Sequence, residues 1–218
     1  MKTDELIGRL AAEVPPVRPL APPATRTAGW LLMAALYVAA GVGMVATGMV
    51  PGGANADPIY VFQQGLAVAI AVVAAFAAFS SVIPGSRRSA TTLVGVMALA
   101  WLGAVVVGCL RDLQVHGTLG LSSQTDWPCV AAMVLGGGAL WFAMTPMLRR
   151  GVPMTPGLTA VLGGGAALGI ANTVACLTQP HMFSSVVLLW HGGTAALMLA
   201  FFAATGQRAM RWTPTRAA

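Results

Sequence analysis

The sequence predicts an all-α, polytopic membrane protein, a bundle of six transmembrane helices preceded by a short amphipathic cytoplasmic helix. Three observations predict it. Hydrophobic residues make up 57% of the chain and charged residues 8%, with a mean hydropathy of +0.78, a balance that cannot cover a soluble surface. Apolar runs of about 20 residues, the length that crosses a hydrocarbon core about 30 Å thick, recur along the chain. Lys and Arg gather in alternate connections between those runs. The net charge of +6 would elsewhere suggest nucleic acid. Here the cations sit between apolar blocks and form no continuous basic face, so direct nucleic-acid binding is not expected.

The first element is the leader, residues 1–27, expected in the cytoplasm. Leu6, Ile7, Leu10 and Val14 fall on one face of a short helix, opposite Asp4, Glu5, Arg9 and Glu13. Thr3 with Asp4 and Glu5 gives a helix start, and Pro15-Pro16 ends it. So short a helix is unstable alone in water and gains order by docking into a partner's groove. Adsorption to the membrane surface is the plainer alternative, weakened by the helix's slight negative charge.

A transmembrane domain over 28–205 follows, with spans at about 28–50, 59–83, 91–110, 127–148, 157–176 and 184–205, and a cytoplasmic tail at 206–218. Pro51-Gly52-Gly53, Pro84-Gly85 and the stretch 151–156 supply the reversals between spans. Lys and Arg are retained on the cytoplasmic side. Lys2, Arg9, Arg18, Arg26, Arg87, Arg88, Arg149, Arg150, Arg208, Arg211 and Arg216 all fall on one side of the predicted membrane, and Arg111 alone on the other. Both termini are therefore expected in the cytoplasm, with the chain in a bacterial inner membrane. Gly136-Gly137-Gly138 and Gly163-Gly164-Gly165 predict close packing of the fourth and fifth spans, because small residues let backbones approach in lipid.

No Asp, Glu, Lys or Arg lies inside the predicted spans, which argues against a proton-coupled carrier. Gln63, Gln64 and Asn172 read as helix glue or interfacial groups. The sequence carries no P-loop, HExxH, GxSxG or dinucleotide fingerprint, so an enzyme is not expected.

Three cysteines are too few for a disulfide scaffold. Cys109 closes the third predicted span, Cys129 opens the fourth and Cys176 closes the fifth, all at the expected outer surface. In an oxidising periplasm such thiols become disulfides or capture soft metals. His181 and Met182 follow Cys176, and His191 lies inside the sixth span, where an ionisable side chain is a functional candidate. Cys129, Cys176, His181 and His191 thus form a candidate redox or metal site. Copper, zinc or cadmium would act there as a signal, and no cofactor is required. The plainer alternative is that the buried cysteines are small hydrophobes and His191 is satisfied by one backbone carbonyl. Cys109 reads as packing, Arg111 with Asp112 as a solvated loop pair, and His116 as surface.

The opening MKTDELIGRLAAEVPPVRPL, the six spans, and the pattern from Cys176 through His181-Met182 to Trp190-His191 together resemble the NrsF-type family. These are six-span membrane anti-sigma factors that restrain the extracytoplasmic-function sigma factor F in proteobacteria. The resemblance implies that the leader holds the sigma factor at the inner membrane, away from RNA polymerase, until an outer stimulus releases it. It implies a response to heavy-metal or redox stress through two cysteines, which match Cys129 and Cys176 here; His181 and His191 match the family's HM and WH positions. The leader is shorter than the usual anti-sigma domain, which extends the expected contact surface to the loops at Arg87 and Arg149. The alternative function is a membrane transport or metal-handling component that loads an ion at the same outer site.

Overall fold

The computed structural model describes residues 3–13, 19–52, 57–86, 89–119, 127–151, 153–178 and 183–210. Val14, Arg87, Arg88, His181 and Met182 lie outside the described residues. Among those described, the chain is helical without strands: α1 (Thr3–Glu13), α2 (Pro23–Ala46), α3 (Pro58–Ser81), α4 (Ser89–His116), α5 (Trp127–Arg149), α6 (Pro156–Leu177), α7 (Ser184–Val186), a π-helical turn (Val187–Gly192) and α8 (Gly193–Ala209). Six helices are long and apolar enough to cross a bilayer: α2 to α6, and the rod Ser184–Ala209 that joins α7, the π turn and α8. The chain is a multi-pass membrane protein preceded by a short amphipathic helix.

Helix starts follow local chemistry. Pro23, Pro58 and Pro156 occupy first turns, where the missing N–H costs nothing and φ is already helical. Asp57 caps α3 by accepting a hydrogen bond from the Ile59 N–H at 2.8 Å.

Several boundaries differ from the sequence expectation because hydropathy marks where apolar residues lie and not where helical hydrogen bonding stops. Helix α4 runs to His116, so Arg111 and Asp112 are helical and not a loop pair. Adjacent residues on a helix do not face each other. Arg111 instead pairs with Asp57 at 2.9 Å, and Asp112 accepts from the Ser184 N–H at 2.8 Å. His116, expected at a plain surface, packs edge-on against Phe183. Helix α8 continues to Ala209, into the expected tail, and α2 begins early enough to include Arg26. That guanidinium is buried, donates to the Met147 carbonyl and lies over the Phe79 ring, so charge does enter the ends of the apolar helices.

Helix α6 is the core of the bundle, buried along most of its length and packed against α3, α5, α8 and α2. Small residues bring its neighbours close. A methyl group at Gly169 would sit 2.9 Å from the Ala71 Cβ and 3.3 Å from the Ala67 carbonyl, so α3 and α6 are nearly at backbone contact. Gly137 lies against Leu168 and Gly163 against Met144 and Leu148, which gives the α5–α6 packing expected from the two glycine triplets. Two other triplet members meet different helices, Gly136 under Tyr37 of α2 and Gly164 under Phe202 of α8, while Gly138 faces open space. Trp30 ties α2 to α5 by donating its indole N–H to the Leu140 carbonyl at 3.2 Å.

Candidate functional site

Antiparallel neighbours place the start of α5, the end of α6 and the start of α7 at one end of the bundle. Arg26, Arg149 and Arg208 mark the other end. Cys129 is in the first turn of α5 and Cys176 in the last turn of α6; neither is in a disulfide, and both are buried to within a few per cent. The Cys129 thiol faces the carbonyl of Ala175 at 4.0 Å, which sets it beside the turn that carries Cys176. Cys109, the third cysteine, is two turns inside the end of α4 and half-buried.

Around Cys176 an otherwise apolar interior turns polar. The His191 Nδ1 lies 3.6 Å from its sulfur and 2.7 Å from the Oδ1 of Asn172. An amide oxygen only accepts, so Nδ1 carries the imidazole proton and Nε2 is the basic nitrogen. The same Oδ1 accepts from the Cys176 thiol at 3.8 Å, one helical turn away, and the Asn172 amide donates to Gln64 Oε1 at 3.2 Å. The Tyr60 hydroxyl donates to the Cys176 carbonyl at 3.0 Å. One node therefore links α3, α6 and the π turn.

Sequence reasoning identified Cys129, Cys176 and His191, and the structure brings Cys176 and His191 into contact with Cys129 beside them. It read Asn172 and Gln64 as helix glue or interfacial groups; they do bond α6 to α3, and Asn172 is in addition the hub on which the node depends. The signal available in advance was spacing, since Asn172 and Cys176 are four residues apart and share a helix face. The π turn had none. It widens the helix at His191 and turns that ring inward, the kind of local bulge that recurs at functional positions. Among the described residues, no three His, Cys, Asp or Glu side chains converge as a metal cage.

Nearer the surface at the same end, Asp57 receives the Ile59 and Tyr60 N–H groups and both oxygens meet Arg111 at 2.9 Å. Desolvation alone would raise its pKa, but the two backbone hydrogen bonds and the Arg111 charge outweigh it and hold the carboxyl below its ordinary value.

At the opposite end, the leader helix α1 is exposed at every described position, Leu6, Ile7 and Leu10 included. It buries nothing against the bundle.

A family model described as negative regulator of sigma F matches residues 10–212. The chain belongs to that family. Membership makes the chain a negative regulator of a sigma factor, with a sigma factor as its partner. No curated protein and no solved structure matches the chain.

Proposed function

We propose that this NrsF protein is an anti-sigma factor that holds an extracytoplasmic-function sigma factor at the cytoplasmic face of a bacterial inner membrane. It releases that factor when Cys129 and Cys176, on the periplasmic side, are oxidised or take up a soft metal ion. Leu6, Ile7, Leu10 and Val14 of the leader provide the apolar contact, with the arginine-rich loops beside it. His191 and His181 are the nitrogen ligands if copper, zinc or cadmium is the signal.

The observation that carries this reading is the buried node of Cys176, His191, Asn172 and Gln64, with Cys129 against the adjoining turn. A polar cluster in a membrane interior is costly unless satisfied, so a structure held by one has two states: node intact and node broken. Drawing Cys129 and Cys176 together, whether through a disulfide or a metal, removes the Cys176 thiol from Asn172 and pulls the start of α5 toward α6. Helix α5 carries that displacement across the bilayer. Its distant end holds α2 through Arg26 on the Met147 carbonyl, and α2 directly follows the leader. The grip on the sigma factor thus depends on the register of α5. Converting a nearly full grip into nearly full release needs a differential of about 5.5 kcal/mol, within reach of a covalent bond or a multi-ligand metal bond.

The test is a Cys129→Ser, Cys176→Ser double variant in cells carrying a sigma-dependent reporter. The variant should hold the sigma factor at rest and fail to release it under oxidant or cadmium. Normal induction in that variant would end the proposal.

A further inference from the structure

A cavity of about 380 Å³ opens beside the node. Helix α4 leans on α3 and touches α7, and the space between α4 and α8 is left open with α6 as its floor. Ala67, Ile70, Leu102, Leu168 and Leu199 make its walls apolar. Its polar groups are Asn172, His191 and the indole of Trp101. The Trp101 Nε1 is buried and has no hydrogen-bond partner among the described residues, so it is a donor kept dry without an acceptor. Asn172 and His191 both also touch the Cys176 sulfur, at 3.8 Å and 3.6 Å.

The shape and chemistry select the ligand. A molecule reaching this cavity comes from the lipid phase, because the walls belong to the middle of membrane-spanning helices. It must present a flat or apolar body to the walls and a hydrogen-bond acceptor to the Trp101 indole. The volume suits a single ring of drug size or smaller. An acyl chain fits the walls but leaves the indole N–H unsatisfied; a quinone satisfies both.

Resting on the redox form of the function proposed above, we propose that the cavity binds a membrane quinone and that this quinone is the oxidant of the Cys129–Cys176 dithiol. The step balances. Two S–H bonds break and one S–S bond forms; the two electrons and two protons pass to the quinone, whose two carbonyl oxygens become the hydroxyls of a quinol. His191 lines the cavity wall and its Nδ1 stands 3.6 Å from the Cys176 sulfur, so one imidazole borders both the thiol and the space for the ring. Trp101 orients the ring by donating to a carbonyl oxygen. The protein then reads the oxidation state of the quinone pool rather than a water-borne oxidant.

The test uses full-length protein, reduced and reconstituted in liposomes, with decyl-tailed ubiquinone as the probe and diamide as a water-soluble thiol oxidant for comparison. Quinol is followed by ultraviolet absorbance and free thiols by maleimide gel shift. The proposal expects one quinol per disulfide, and a rate about tenfold lower in Trp101→Phe with quinone, the worth of one buried hydrogen bond, while diamide oxidises both proteins alike. Disulfide formation with diamide but none with quinone overturns the quinone site and leaves the dithiol switch standing, as does a Trp101→Phe rate equal to the parent's. Failure of both oxidants to form the disulfide overturns the redox reading itself.

Discussion

Asn172→Ala isolates the hub of the node. The substitution removes the acceptor of His191 Nδ1 at 2.7 Å and the donor to Gln64 at 3.2 Å, both contacts between helices. Interhelical hydrogen bonds in membranes are worth about 0.6 kcal/mol on average and up to about 1.7, so losing two shifts the balance between gripping and released states by about 1 to 3 kcal/mol. That range corresponds to about 5- to 150-fold in the equilibrium. A protein with about 1% of its sigma factor free at rest would then have between about 5% and 60% free, without any stress. The assay is a sigma-dependent reporter in unstressed cells, read against the amount of membrane-inserted protein. Thr173→Ala is the matched control, since among the described residues that hydroxyl bonds only the Gly169 carbonyl of its own helix, at 3.0 Å, and its loss should leave the reporter flat. Equal resting reporter activity in Asn172→Ala and the parent, at equal protein level, would refute the coupling of node to grip.

Gly169→Val forces branched methyl groups into the 2.9 Å approach to Ala71, with the Ala67 carbonyl behind; it should cost about 1 to 3 kcal/mol and lower the thermal midpoint in detergent, while Gly138→Ala, with open space around it, should not. Asp57 has a lowered pKa, so its ion pair with Arg111 is complete above the ordinary carboxylate range and is lost only as pH falls through that lowered value. Asp57→Asn keeps a helix cap and should cost under about 1 kcal/mol near neutral pH, fading in acid and high salt, whereas Asp57→Ala also loses the cap and about 1 kcal/mol more, as thermal melts across pH would show. Ile7→Asp with Leu10→Asp places charge on the exposed apolar face of α1; the sigma factor should no longer co-purify with the membrane protein, and unchanged recovery would move the contact to the arginine-rich loops.

Composition and charge alternation made the membrane class and the number of crossings legible, because the bilayer imposes length and polarity on every segment that crosses it. Helix ends were less legible. Arg26 and Arg111 are long enough to remain in a helix while their heads find a carbonyl or carboxylate, and hydropathy alone takes them for loop residues. In the site, cysteine and histidine stood out by rarity in an apolar chain. Asn172 did not, because a single amide in a span has many uses and only the position of Gln64, 108 residues away in sequence, shows which one it serves. The Asp57–Arg111 pair is hidden for the same reason, whereas the neighbouring Asp112 offered a local partner that helical geometry forbids. The π turn at 187–192 carries no proline or glycine break before His191 that would announce it.

The central claim is that the chemical state of two buried thiols at one end of the bundle sets affinity for a protein at the other. It is tested most directly by the dissociation constant of the purified sigma factor for the reconstituted protein, measured once with the thiols reduced and once with the Cys129–Cys176 disulfide formed. The account predicts weaker binding in the oxidised protein by a factor approaching about 10⁴, the differential that full release requires. The same constant in both states would contradict it.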